Sequence, residues 1–370
     1  VLTLRGPSGV RCGPYSGNLE VIEDGSVFIQ GGKIVSVGPT RRLENLKEAR
    51  GAIQIAVPNC IVMPAFVDAS IHLSRDCPHA RCLRRLSEFQ NDSVALMRSC
   101  LQHGTLSAIV KATSGIYSLG AELSVLRQLA RIGDSPISLF RAWSPSTGSE
   151  DHPDAAIFDA AFASVAKRKL AESIELKGDS SEILSAAIRS RLGVTLDWSG
   201  GAPDDLKQSL QRSGAASVFC HHSLSPPERE LLTAAHAIAV FSAGGALIDT
   251  APGSSVRDLI DAGGAVALGS GYHALYEPNF NMQLVLFLAV RRLNLTIEQA
   301  IVASTINAAC VMRRDHQIGS IEPGKRADLL VMNIPDYREF PRRLGVNHVA
   351  MAIRNGDLVL NRTRWKVGAA

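Results

Sequence analysis

The chain has 370 residues, 46% of them hydrophobic and 20% charged, with a net charge of +4; it is long enough for one large α/β barrel plus a smaller accessory unit. The basic residues are dispersed and form no stripe suited to nucleic acid, and no run approaches the roughly 20 uninterrupted apolar residues of a membrane span. Seven cysteines without a CxxC pair argue for free thiols in a reducing compartment, not for disulfides or a thiolate metal site.

The opening apolar stretch is too short for the core of a signal peptide, so a soluble cytoplasmic protein is expected. Residues 17–60 read as short strands and turns. In "GSVFIQGGKIVSVGP" apolar residues alternate with small or polar ones around Gly31-Gly32, which predicts a hairpin. The middle of the chain then alternates β-rich apolar runs, at 62–68, 105–111, 136–142, 173–177, 193–198, 216–220, 237–241 and 265–269, with helical stretches such as "DSVALMRSCLQH" and "AELSVLRQLARI". In those stretches the apolar residues recur at three- and four-residue spacing. The far end returns to strands in "GSIEPGKRADLLVMN" and "VAMAIRNGDLVLN", broken at Gly324 and at Asn355-Gly356.

Eight strand–helix alternations predict a (β/α)8 TIM barrel over residues 61–313, an α/β fold. The β-rich ends, 1–60 and 314–370, predict a small β-sandwich domain assembled from the N- and C-terminal segments. A doubly wound open sheet is the alternative, but it has no reason to stop at eight strands, and no GxGxxG follows the first. In a barrel, function belongs at the C-terminal ends of the strands. Those ends carry Ser70 and His72, Lys111, Trp143, Lys177, Asp197, His221 and His222, Ser242 and Gly271.

The segments "GSVFIQGGKIVSVGP", "VMPAFVDASIHL", "GSIEPGKRADLLVM" and "VAMAIRNGDLVL" resemble the ordered landmarks of the amidohydrolase superfamily. The tail, with Asp336-Tyr337-Arg338-Glu339 and Gly345-Val346-Asn347-His348, is similar to imidazolonepropionase. The resemblance implies hydrolysis of a C–N bond at a divalent metal that lowers the pKa of bound water and polarises the carbonyl. It also implies a His-x-His at the end of the first strand, where this chain has Ser70-Ile71-His72; a serine hydroxyl is a feeble zinc ligand beside imidazole. On the fifth strand Asp197 falls where the family has a histidine, and Gly200 where it has a glutamate. On the eighth, Gly271 falls where the family aspartate binds metal and takes a proton, with no neighbouring carboxylate in the sequence to replace it.

The resemblance places His222 at a histidine that contacts substrate or metal, which makes it the candidate catalytic residue. Trp143 falls where imidazolonepropionase has a histidine facing the ring, and Lys111 near that enzyme's lysine before the substrate loop. Lys111, Trp143 and His222 are thus the candidate ligand-binding residues. His72 and Asp197 are the candidate metal ligands, with His222 or His221 as a third; zinc or iron is expected if the site is functional, and otherwise no cofactor.

Each has a plainer reading. His72 is then a hydrogen-bonded polar residue in the barrel mouth, Asp197 a partner for Lys111 or Lys177, and Trp143 a space-filler. A Ser70–His72 dyad lacks a third group, and Cys220 beside His221 faces away from it on the strand, into the core.

These readings converge on an imidazolonepropionase-like amidohydrolase whose metal-dependent hydrolysis is expected to be lost or severely impaired. One alternative is an active hydrolase of cyclic amides with a remodelled site, with or without metal. The other is a non-catalytic barrel that binds a small molecule in its mouth or stabilises a partner, as a homo-oligomer or beside an active paralogue. No membrane or nucleic-acid partner is expected.

Overall fold

The computed structural model describes residues 1–3, 19–74, 76–77, 80–83, 85–113, 119–134, 136–145, 155–177, 181–242, 253–274 and 276–363. Its centre is a parallel sheet of β1 (Phe66–Ser74), β2 (Thr105–Thr113), β3 (Ser138–Trp143), β4 (Ser173–Lys177), β5 (Gly193–Trp198), β6 (Ser217–Cys220), β7 (Ile238–Ser242) and β8 (Ala265–Gly269). Each strand pairs with the next in sequence. The sheet closes where Gly271 N donates to Ser70 O at 3.0 Å. A short segment, Tyr272–His273, pairs with Ile71 and His72 and adds a ninth strand beside β1.

Both faces of these strands are covered, which is why they read as continuous apolar runs and not as alternating ones. Val67, Ile109, Phe140, Phe219, Val240 and Ala267 fill the barrel interior. Their neighbours, such as Ile71, Val110, Leu139 and Leu268, pack outward on helices that include Leu86–Gln102 and Leu119–Ile132. Ala308 and Ala309 of helix Ile306–Val311, with Met312, join the interior cluster from below, and Asn307 Nδ2 donates to Val266 O at 2.8 Å. This packing closes the N-terminal end of the barrel and leaves the C-terminal end for function.

The apolar run at 62–68 serves two sheets, not one. Ile61–Pro64 pairs antiparallel with Leu329–Met332 in a four-stranded sheet completed by Val349–Arg354 and Asp357–Asn361. Ala65 N then bonds Asp328 O, and Phe66 N bonds Gly104 O of the barrel, so the chain changes sheets between adjacent residues. Consequently β1 starts later than the sequence suggests and carries Ser70 and His72 within it. The predicted hairpin is Gly25–Gln30 against Lys33–Pro39. Gly31 and Gly32, at φ +57° and +77°, supply the left-handed turn that such a two-residue loop requires. Ile34 packs with Ile321, Ala327 and Leu329, which joins the two β-rich ends of the chain. Among the described residues no helix is long and apolar enough to cross a membrane, and Cys60, Cys100 and Cys220 are free thiols.

Candidate active site

The barrel mouth is organised around the ring of Phe219 on β6. Lys111 Nζ stands 3.5 Å from the ring centroid and forms an ion pair with Glu175 of β4, both side chains being 3% exposed. His72 meets the same ring edge-on at 6.3 Å and His221 at 4.6 Å. Asp197, the strand partner of both Lys177 and Phe219, places Oδ1 2.6 Å from His221 Nε2 and Oδ2 3.6 Å from Lys177 Nζ. Ser70 Oγ lies 3.2 Å from His72 Nε2.

The structure thus gathers His72, Lys111, Lys177, Asp197 and His221 and separates two other candidates from them. Phe140 and Ala142 face the interior, so the alternation of β3 turns Trp143 outward. Trp143 is fully buried against Phe162 at 4.7 Å, and its Nε1 donates to Glu122 Oε2 at 2.9 Å. This corrects the expectation that Trp143 faces a ligand. The same parity governs "SVFCHH": Phe219 points in, Cys220 out, His221 in and His222 out. His222 Nε2 lies 3.1 Å from Glu228 Oε1, an oxygen that also accepts from Trp198 Nε1 at 2.5 Å. His221, not His222, therefore meets Asp197, a second correction.

At Gly271 the sequence offers no neighbouring carboxylate, and the structure brings one close from six residues on. A Cβ built there would lie 2.6 Å from Glu277 Oε2 and overlap Ser242 Oγ. Ser242 Oγ donates to Glu277 Oε1 at 2.5 Å. Mutual backbone bonds between His273 and Glu277, 2.8 and 2.9 Å, hold a tight loop that swings this carboxylate over the glycine. The same loop sets His273 6.2 Å from His72 and under the exposed ring of Tyr276 at 4.7 Å. Sequence reasoning missed Glu175, His273 and Glu277; the alternation Glu175, Lys177 along β4 was a signal for the first.

Charge follows this geometry. Burial, reinforced by the positive charges of Lys111, His273, His221 and Lys177, pushes the His72 imidazole well below its ordinary range. Burial alone would raise Asp197, but the hydrogen bond and charge of His221, with Lys111 and Lys177, outweigh it and hold the carboxyl below the usual value. Asp68 is fully buried and pushed up to about 6 by desolvation, opposed by hydrogen bonds from Ser270 and Ser70. Among the described residues, no three His, Cys, Asp or Glu side chains are grouped to hold a metal ion.

The model of the amidohydrolase family matches residues 191–359. Imidazolonepropionase of Alkaliphilus metalliredigens is 27% identical over 98% of this chain and 97% of its own length, and that of Geobacillus kaustophilus 28% over 93% and 92%. The chain is similar to the imidazolonepropionases over nearly its whole length. Solved structures agree on the fold. Guanine deaminase from C. acetobutylicum with bound guanine superimposes with a TM-score of 0.69 at 15% identity, covering 94% of this chain and 97% of that one. A mutant atrazine chlorohydrolase from Arthrobacter aurescens TC1, complexed with zinc and atraton, gives 0.71 at 16% identity, covering 92% and 91%.

Proposed function

We propose that this imidazolonepropionase-like barrel has lost, or keeps only in severely impaired form, metal-dependent hydrolysis of C–N bonds, and that its mouth binds a small molecule. The observation that carries the reading is Asp197, whose two oxygens face His221 at 2.6 Å and Lys177 at 3.6 Å. Groups that would ligate a metal thereby satisfy one another. Zinc calls for about three protein ligands. Here His72 has a serine for its companion, Gly271 has no side chain, and the Glu277 carboxylate near it is engaged with Ser242. The donor set does not fit a divalent ion.

What supports binding is the remaining lining. Lys177 is 59% exposed, and Tyr276 presents an open aromatic face beside His273. An exposed cation and a ring at one mouth suit a ring-bearing carboxylate. The test is an imidazolonepropionase assay on protein supplemented with zinc or iron. Losing the proton-transfer groups removes about 10²–10⁴-fold for each role, so negligible turnover is expected. A turnover number within about tenfold of an ordinary 10 per second would contradict the reading. A parallel thermal-shift screen of ring-bearing carboxylates is expected to find stabilisation that His221→Ala and Lys177→Ala abolish.

A further inference from the structure

We propose that the Lys111 ammonium is the permanent cation of this site, taking over inside the barrel the charge-balancing role of a metal. The inference rests on the reading above and says what replaced the ion.

Three observations carry it. Lys111 is nearly enclosed, 2% exposed, a position that is costly for an ammonium unless its charge is compensated. Its compensation is Glu175, a second interior charge that the fold would otherwise leave bare. Its position is central: its Nζ sits over the Phe219 ring at 3.5 Å, and the same ring is flanked by His72 and His221. Lys111 is also the strand neighbour of His72, and its charge acts on His72, Asp197 and Asp68. A cation held against an aromatic face in a low-dielectric interior gains more than an exposed one. One ammonium therefore balances interior carboxylates on several strands. A divalent ion at the same centre would meet it as a like charge.

The experiment compares the chelator-treated full chain with Lys111→Met and with Lys111→Met/Glu175→Gln by thermal melting, each with and without added zinc chloride. Leaving Glu175 buried without its partner is expected to lower the melting temperature of the single variant by roughly 5 °C or more. The double variant, with neither charge, is expected to recover most of that loss. Zinc is expected to raise the single variant and leave wild type and the double variant unchanged. If the single variant does not accumulate in folded form, the double variant decides: folded protein supports the proposal and unfolded protein overturns it. A single variant as stable as wild type, a double variant no better than the single, or zinc acting equally on wild type and single variant overturns it as well. Metal-free wild type with an unresponsive single variant would sink this inference alone, whereas stoichiometric metal in wild type would sink the functional reading too.

Discussion

The Asp197 carboxylate and the His221 imidazole meet across β5 and the end of β6 at 2.6 Å, each occupying an atom through which the other would reach a metal. Because Asp197 is held below its ordinary value of 3.8, the native state favours its ionised form. That stabilisation is complete above the unfolded value and is lost as pH falls through the folded one. Asp197→Asn is therefore expected to flatten the acid limb of the melting curve below about pH 4. Parallel acid limbs for the two proteins would show that the pair contributes nothing.

Asp68 has the opposite sign. It bridges the closure of the barrel, accepting at Oδ1 from Ser70 N at 3.0 Å and Ser270 N at 2.8 Å, and burial raises it from 3.8 to about 6. Between those values the native protein keeps a proton that the unfolded chain has released. Stability is expected to decline as pH rises through this window, by about 3 kcal/mol. Asp68→Asn retains an acceptor for both amides and removes the decline. Urea unfolding on either side of the window measures it, and an unchanged pH dependence in the variant would refute the assignment.

The order of the eight barrel strands was legible because buried β-rich runs alternate with amphipathic helices. The start of β1 was not, since one apolar run feeds two sheets and only the partners of Ala65 and Phe66 divide it. In the site, His72, Lys111 and Asp197 were readable as strand-end polar groups. The choice between His221 and His222, and the direction of Trp143, hang on inward or outward parity, which Phe219 and Phe140 already encode. Glu277 and His273 were illegible for a different reason: they arrive from a loop after β8, placed by backbone pairing that no local pattern announces.

Gly271 is expected to reject a side chain. Its φ is +69°, and a Cβ would run into Ser242 and Glu277. Gly271→Asp should cost about 1–3 kcal/mol from overpacking and about 1 more from the left-handed backbone. Thermal melting reads this directly. A Gly271→Asp protein as stable as wild type would mean that Glu277 does not fill this space.

Trp143 is expected to act through stability alone. Trp143→Ala should cost about 3–5 kcal/mol, since the side chain is fully buried and holds Glu122. Trp143→Phe should cost less and leave untouched any ligand affinity found in the screen. A large loss of affinity in folded Trp143→Phe would return this residue to the mouth.

On the proposed reading, the charged groups of the mouth satisfy each other and leave no divalent-metal centre. Elemental analysis of untagged protein purified without chelator tests it most directly. Zinc, iron and manganese together are expected at well under one ion per chain, unchanged by His72→Ala. About one ion per chain, removed by His72→Ala, would contradict it.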